Sequence, residues 1–357
     1  MGKVHVVGAG PAGSVAAISA IRSGYDVSLY EEHPCAGVPT NCSGLISKEG
    51  LESLKGFIDY RKHAIHKMRG AILDFAGFQL KVDSKKDIAY ILNRASFDAE
   101  LAANAEREGA KVIYSKKMEK PFPEGTIIGA DGPNSTVASS FLFPRIPRFV
   151  GTAQAEVRYD GAMPEFARVF LSNERFPGFF AWLIPKNEEI ADMGAGCVLP
   201  GNPRRALDSL SKYAGIPIPK EQRHFIIPLM QRPLTAARIR KRNILLAGDA
   251  AGQVKSTTGG GVVFGTKCAA LAGKYADFPE RYEQEWKEKY GPDLDAHYRL
   301  HKSLCQLNDD SLRTIGSLAS TLQIERFLEE KGNMDRPTSM LCPELLLHPL
   351  SLLKNRD

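Results

Sequence analysis

Three glycine-bearing segments hold the residues whose types and spacing could do chemistry. The first is Gly8-Ala9-Gly10-Pro11-Ala12-Gly13, with an acid, Glu31, about twenty residues further on. Glycine at 8 allows a sharp turn, at 10 it lets backbone N–H groups approach a pyrophosphate, and at 13 it lets a helix pack close to a strand. Ala12 belongs to the same cradle, and Glu31 would accept hydrogen bonds from the ribose hydroxyls of an adenosine. The other two segments each set an aspartate beside glycine after an apolar run: Gly129-Ala130-Asp131-Gly132-Pro133-Asn134-Ser135 and Asn243-Ile244-Leu245-Leu246-Ala247-Gly248-Asp249-Ala250-Ala251-Gly252. Gly259-Gly260-Gly261 then opens an Ala-rich stretch, and three glycines are costly in entropy unless something must come close to the backbone. The chemistry the first segment's spacing points to is the cradling of a dinucleotide.

The elements that must position them follow from periodicity. Val4–Val7 reads as a buried strand, 12–22 as a small-residue helix and 27–30 as a second strand, which is a βαβ unit. From Glu32 to Gly50 the chain turns to Pro, Gly, Cys, Ser and Asn, the composition of a long functional loop. Short strands at 71–75, 78–82 and 88–92 precede a helix over 96–108, with Ser96 as its N-cap and Gly109 as its stop. Strands at 111–114, 126–128 and 243–247 and a helix over 262–275 return to the cofactor region, while 150–230 reads as strands broken by a helix at 204–214. The fold class is α/β with an α+β second region: a discontinuous Rossmann-type cofactor domain (1–65, 90–148 and 236–280), a β-rich substrate domain (66–89 and 149–235) and a helical C-terminal region (281–357).

Length and composition agree. The 357 residues are 43% hydrophobic and 25% charged, which excludes disordered and fibrous classes. A net charge of +6 from dispersed Lys and Arg argues against nucleic acid as a partner. No apolar run reaches the roughly 18 residues of a membrane span, and the N-terminus passes directly into a strand without a signal peptide, so a cytoplasmic protein is expected. The six cysteines show no metal-ligand spacing, and no metal is expected; Cys35 and Cys42 share the long loop. Leu345, Leu346, Leu347, Leu350, Leu352 and Leu353, followed by Lys354 and Arg356, would suit a helix lying on the inner membrane face.

The fingerprint, the Asp131-Gly132 segment and the Gly248-Asp249 segment, in that order, make the chain resemble the hydroxylase-like superfamily of FAD proteins. The resemblance implies FAD as cofactor, with Asp249 on the ribityl chain. It sets Gly259, Gly260 and Gly261 toward the pyrimidine edge or the pyrophosphate, where a helix start stabilises negative charge. Arg94, in Leu92-Asn93-Arg94-Ala95-Ser96-Phe97-Asp98, matches the superfamily's arginine before a helix and would lie near the phosphates or ribityl.

Within that superfamily the chain is similar, over most of residues 1–300, to the geranylgeranyl reductase family. Besides the glycine segments, Gly37-Val38-Pro39-Thr40-Asn41-Cys42-Ser43-Gly44-Leu45 and Phe180-Ala181-Trp182-Leu183-Ile184-Pro185-Lys186, followed by Gly194-Ala195-Gly196, carry the likeness. It implies Cys42 and Gly44 near the isoalloxazine, and Phe180, Trp182 and Pro185 around an apolar substrate pocket. The implied activity is an FAD-dependent oxidoreductase that saturates carbon–carbon double bonds of isoprenoid chains of archaeal-type lipids, by hydride to one carbon and a proton to the other. Cys42 is a candidate proton donor through nearness alone. No second dinucleotide fingerprint appears, so NAD(P)H bound transiently or a ferredoxin-like protein would supply electrons. The alternatives are a flavin-dependent monooxygenase or halogenase, and a non-catalytic flavin electron-transfer protein.

Overall fold

The continuous apolar runs become central parallel strands, since a strand covered on both faces has no polar side to show. The computed structural model describes residues 2–40, 42–161 and 163–340. The leucine-rich tail and Cys342 lie outside the described residues. Two units are formed: residues up to Ala64, Leu92–Phe149 and Ile226–Leu294 make the first, and Ile65–Ile91, Val150–Phe225 and the residues from Asp295 make the second.

The first unit holds a six-stranded sheet in the order Ala236–Ile239, Arg242–Leu246, Thr126–Gly129, Lys3–Val7, Asp26–Tyr30 and Lys111–Ile113. Its pairs are parallel except at the 236–239 edge, which runs antiparallel to 242–246. Val7, Tyr30, Gly129 and Leu246 therefore end their strands along one edge, with the chain leaving in opposite directions on either side of Lys3–Val7. That reversal is where open α/β sheets bind ligands. Helices Pro11–Arg22 and Val262–Lys274 are rich in small residues because they nearly touch: a Cβ on Gly273 would stand 2.2 Å from the Ala16 carbonyl oxygen. Tyr282 and Trp286, from the first part of helix Pro279–Leu304, are fully buried in this unit's core. The helical stretch from 281 thus does not stand apart as a region of its own.

Helix Arg94–Arg107 corrects one expectation. Its N-cap is Asn93, whose side chain accepts the Ser96 N–H at 3.2 Å, and Ser96 lies inside the first turn with its hydroxyl returned to the Asn93 carbonyl. Arg94 consequently sits in the helix rather than before it.

The second unit has a seven-stranded sheet in the order Arg223–Pro228, Phe149–Arg158, Ile190–Val198, Ala181–Pro185, Phe166–Leu171, Gly70–Phe75 and Phe78–Asp83. One face is packed by helix Pro203–Ala214, whose Ala206, Leu207 and Leu210 meet Ala153, Phe170, Ala181, Leu183, Met193 and Ala195. Asn202 caps that helix and Gly215 ends it in the left-handed conformation. Helix Asp309–Thr321 follows, tied by the Ser172 hydroxyl donating to Asp309 Oδ2 at 2.6 Å. No helix among the described residues is long and apolar enough to cross a membrane.

Candidate functional site

The first glycine segment turns the chain from strand to helix. Gly8 has φ +94°, and a Cβ on it would stand 2.5 Å from the Ala130 carbonyl oxygen. A Cβ on Gly13 would stand 1.7 Å from the Gly8 oxygen, so the helix can pack here only without a side chain. Gly10 differs, because a Cβ there would meet no atom within 4 Å. Gly10 also caps the helix without a side chain, leaving first-turn N–H groups and the positive helix end for an anion. Glu31 is buried beside this turn, with Oε2 accepting the Ala9 N–H at 2.9 Å and Oε1 accepting the His33 N–H at 3.0 Å. The His33 ring Nδ1 lies 2.6 Å from Oε1 as well, so of roughly four lone-pair positions the one left, on Oε2, can take a ribose hydroxyl.

The two aspartates have different surroundings. Asp131 accepts from the Ser135 hydroxyl at 2.6 Å and from the Val137 N–H at 3.0 Å, which organises the turn into helix Thr136–Ser140. Burial raises its carboxyl above the usual range, against the pull of those donors. Gly132 makes the turn at φ +77°. The Asp249 carboxyl accepts no hydrogen bond among the described residues, its backbone oxygen taking the Gly252 N–H at 3.0 Å. Burial pushes it up to about 6, opposed by the Arg94 cation. A Cβ on Gly261 would stand 2.6 Å from Asp249 Oδ1, so the glycine run is shaped around this carboxylate. Gly248, at φ +66°, lies against Ala12, and Gly259 is left-handed at φ +68°. Gly260 packs beside the Lys255 side chain.

Arg94 connects the long loop to this aspartate. It holds Asp98 through Nε to Oδ1 at 2.9 Å and Nη2 to Oδ2 at 2.8 Å. Burial works against its charge, but Asp98 and Cys42 together hold it protonated. The Cys42 sulfur accepts the Gly44 N–H at 3.4 Å and lies close enough to Arg94 to favour its charge. A Cβ on Gly44 would stand 2.3 Å from the Leu92 oxygen, and one on Gly37 2.7 Å from the Ala95 oxygen, so both ends of the loop rest on the start of Arg94–Arg107. Cys35 and Cys42 are free thiols.

In the second unit, the Phe180 and Trp182 rings pack tilted at 56° with centroids 5.7 Å apart, and Trp182 is buried. Pro185 is not brought together with them. Strand alternation places it with Ala181 and Leu183 on the face that helix Pro203–Ala214 covers, opposite to Trp182. No group of three or more His, Cys, Asp or Glu side chains among the described residues could hold a metal ion.

The structure also adds residues that carry no local signature. Arg232 is buried, donates from Nε to the Ala250 oxygen at 2.6 Å and feels the charge of Asp131. Gln253 accepts the Gly248 N–H at 2.8 Å and donates to the Tyr282 hydroxyl at 3.0 Å, which itself donates to the Leu246 oxygen at 2.6 Å. These buried bonds fix the turn that presents Asp249.

Residues 6–75 match the family described as an NAD(P)-binding Rossmann-like domain. Over 89% of this chain the structure is similar to that of a geranylgeranyl bacteriochlorophyll reductase-like protein from Thermoplasma acidophilum, covering 91% of that chain with TM-score 0.78 and 21% identity. A probable FAD-dependent monooxygenase from Pseudomonas aeruginosa shares the fold at TM-score 0.67 and 14% identity, over 88% of this chain and 98% of that one. In sequence, the chain is 30% identical to digeranylgeranylglycerophospholipid reductase 1 of Methanopyrus kandleri, over 93% of its own length and 98% of the relative's. With that likeness running through both units and nearly the whole of each chain, the protein belongs to the digeranylgeranylglycerophospholipid reductase family.

Proposed function

We propose that the protein is an FAD-dependent reductase that saturates carbon–carbon double bonds in the geranylgeranyl chains of archaeal-type membrane lipids. The observation that carries the reading is the near full-length likeness to a digeranylgeranylglycerophospholipid reductase. Oxygen-using flavoproteins share the fold alone and are not favoured.

The residues present fit FAD. The open approach at Gly10, the Asp249 carboxyl without a hydrogen-bond donor, and the remaining acceptor position of Glu31 are what its pyrophosphate, ribityl hydroxyls and adenosine ribose require. Gly8, Ala12 and Gly13 shape the pyrophosphate cradle, and Asp131, Gly132 and Gly248 hold the turns beside it. Gly259, Gly260 and Gly261 bring a backbone without side chains and a helix start to the flavin ring, where positive potential favours the reduced form. Arg94 fixes the loop carrying Cys42 and Gly44 and adds a cation near Asp249.

The chemistry FAD supplies when bound is hydride donation to an alkene carbon, its electrons coming from NAD(P)H or a ferredoxin-like protein. An isolated alkene has no polar handle, so the chain's own contribution is position and dryness. Phe180 and Trp182 give the apolar lining for the isoprenoid chain, with Pro185 supporting the strand from behind. The Cys42 thiol is the candidate to give a proton to the second carbon. The lipid substrate brings the protein to a membrane surface.

The test is anaerobic. Purified protein reduced with dithionite is mixed with geranylgeranylated glycerophospholipid, and flavin reoxidation is followed with product mass. Reoxidation with a gain of two hydrogens per bond is expected; flavin that stays reduced until oxygen enters overturns the reading for this substrate.

A further inference from the structure

The second unit's sheet carries polar groups that its own fold does not use. In the antiparallel register Gln154 lies opposite Gly194, and Gly194 opposite Trp182, so the three form one row across adjacent strands. Their side chains point to the face away from helix Pro203–Ala214, because Ala153, Ala195 and Ala181, one position along each strand, are the ones packed under that helix. A Cβ on Gly194 would stand 2.3 Å from Trp182 Cζ2, 2.4 Å from its Cε2 and 2.8 Å from Gln154 Cβ, so the indole and the Gln154 stem converge over a bare backbone. Gln154 is fully buried and Trp182 is 6% exposed. Neither Oε1 nor Nε2 of Gln154, nor Nε1 of Trp182, has a hydrogen-bond partner among the described residues.

Each buried orphan of this kind costs about 1–3 kcal/mol, and a leucine or phenylalanine would avoid the penalty. Three orphans converging on one row therefore mark a place for a ligand. They comprise two kinds of N–H donor and one carbonyl acceptor, without formal charge. The charged neighbours on this face are already paired: Asp192 Oδ2 accepts from Arg223 at 3.1 Å, and Glu156 pairs with Lys186. A phosphate would need a cation to itself. A hydroxyl or ether oxygen needs what the row offers, and Asp192 Oδ1, buried and also without a partner two residues along the same face, would accept a hydroxyl proton.

We infer that Gln154 and Trp182, spanning Gly194, bind an uncharged hydroxyl or ether oxygen where the polar end of the substrate begins. This rests on the lipid-reductase reading and adds a specificity determinant to it.

The test compares geranylgeraniol with the matching hydrocarbon that lacks the hydroxyl, by equilibrium binding in mixed micelles to the flavin-loaded full chain and to its Gln154→Met variant. The alcohol should bind at least about tenfold more tightly than the hydrocarbon, a preference worth one or two hydrogen bonds. Gln154→Met should abolish the preference, leave hydrocarbon binding unchanged and unfold at an equal or higher temperature, since it removes two orphans. With Trp286→Phe leaving Trp182 as the sole indole, only the alcohol should move the tryptophan emission. Equal affinity for the two ligands in the parent chain, or a preference that survives Gln154→Met, overturns the inference while the reductase reading stands. Binding of neither ligand overturns both.

Discussion

Gly13 packs against the carbonyl oxygen of Gly8 so closely that a Cβ at 13 would stand 1.7 Å from it, whereas a Cβ at Gly10, three residues earlier, would meet nothing within 4 Å. The fold itself needs Gly13, whereas Gly10 is needed only by the proposed cofactor. Gly13→Ala should destabilise the apo-protein itself by several kcal/mol, as overpacking against backbone does. Gly10→Ala should leave apo stability within about 0.5 kcal/mol, as surface changes do. It should nonetheless lower flavin content at least tenfold on titration with FAD. Equal flavin affinity in Gly10→Ala would remove the pyrophosphate from this turn.

The Arg94–Asp98 pair is buried on both sides, with side-chain exposures of 10% and 7%. Removing one member leaves the other charge uncompensated, which costs about 3–5 kcal/mol. Arg94→Met should therefore lower the urea midpoint of the apo-protein and release the loop that carries Cys42. Arg94→Lys should be intermediate, because an ammonium cannot reproduce the two-point contact. Limited proteolysis between residues 37 and 44 reads the loop directly, and protection equal to that of the parent chain would contradict the anchoring role.

What could be read from the residues alone was whatever they determine over short spans. The spacing of Gly8, Gly10, Gly13 and Glu31 defines a strand, turn, helix and strand within one short stretch of chain. The run from Ile244 to Ala247 is too uniformly apolar to be anything but central. The cap of helix Arg94–Arg107 was not legible in the same way, since Asn93 and Ser96 are both good caps and only the folded chain shows which side chain meets which N–H. The family resemblance groups Pro185 with Trp182 around the pocket, but odd and even positions of a strand face opposite sides. Arg232, Gln253 and Tyr282 act through hydrogen bonds between residues far apart in the chain, or through a turn that exists only once folded, and no short motif announces them.

Cys42 accepts the Gly44 N–H through its sulfur beside the Arg94 charge, and a serine replacement keeps the size and one donor, while alanine removes the donor. If the thiol delivers the proton, Cys42→Ala should retain flavin and lower kcat for alkene reduction by about a hundredfold, the scale of a lost general acid. Cys42→Ser should recover part of that loss. The flavin spectrum and KM should change little in both. Unchanged kcat in Cys42→Ala would leave the sulfur a packing role only.

Asp249 and Asp192 both carry carboxyls that burial pushes up to about 6, against attraction from Arg94 in the first case and from Arg223 in the second. The folded apo-protein thus holds protons that the unfolded chain has already lost near pH 4. Its stability falls as pH rises through the interval from about 4 to about 6, by about 2–3 kcal/mol for each group. Asp249→Asn should remove roughly half of that fall in thermal unfolding of flavin-free protein. Flavin binding should show the opposite dependence. Ribityl hydroxyls donating to the carboxylate favour its ionised form, so binding expels a proton and FAD affinity should rise with pH across the same interval. In Asp249→Asn the affinity should be lower at neutral pH and lose that slope. A parent chain whose FAD affinity is flat between pH 4.5 and pH 7 would separate Asp249 from the cofactor.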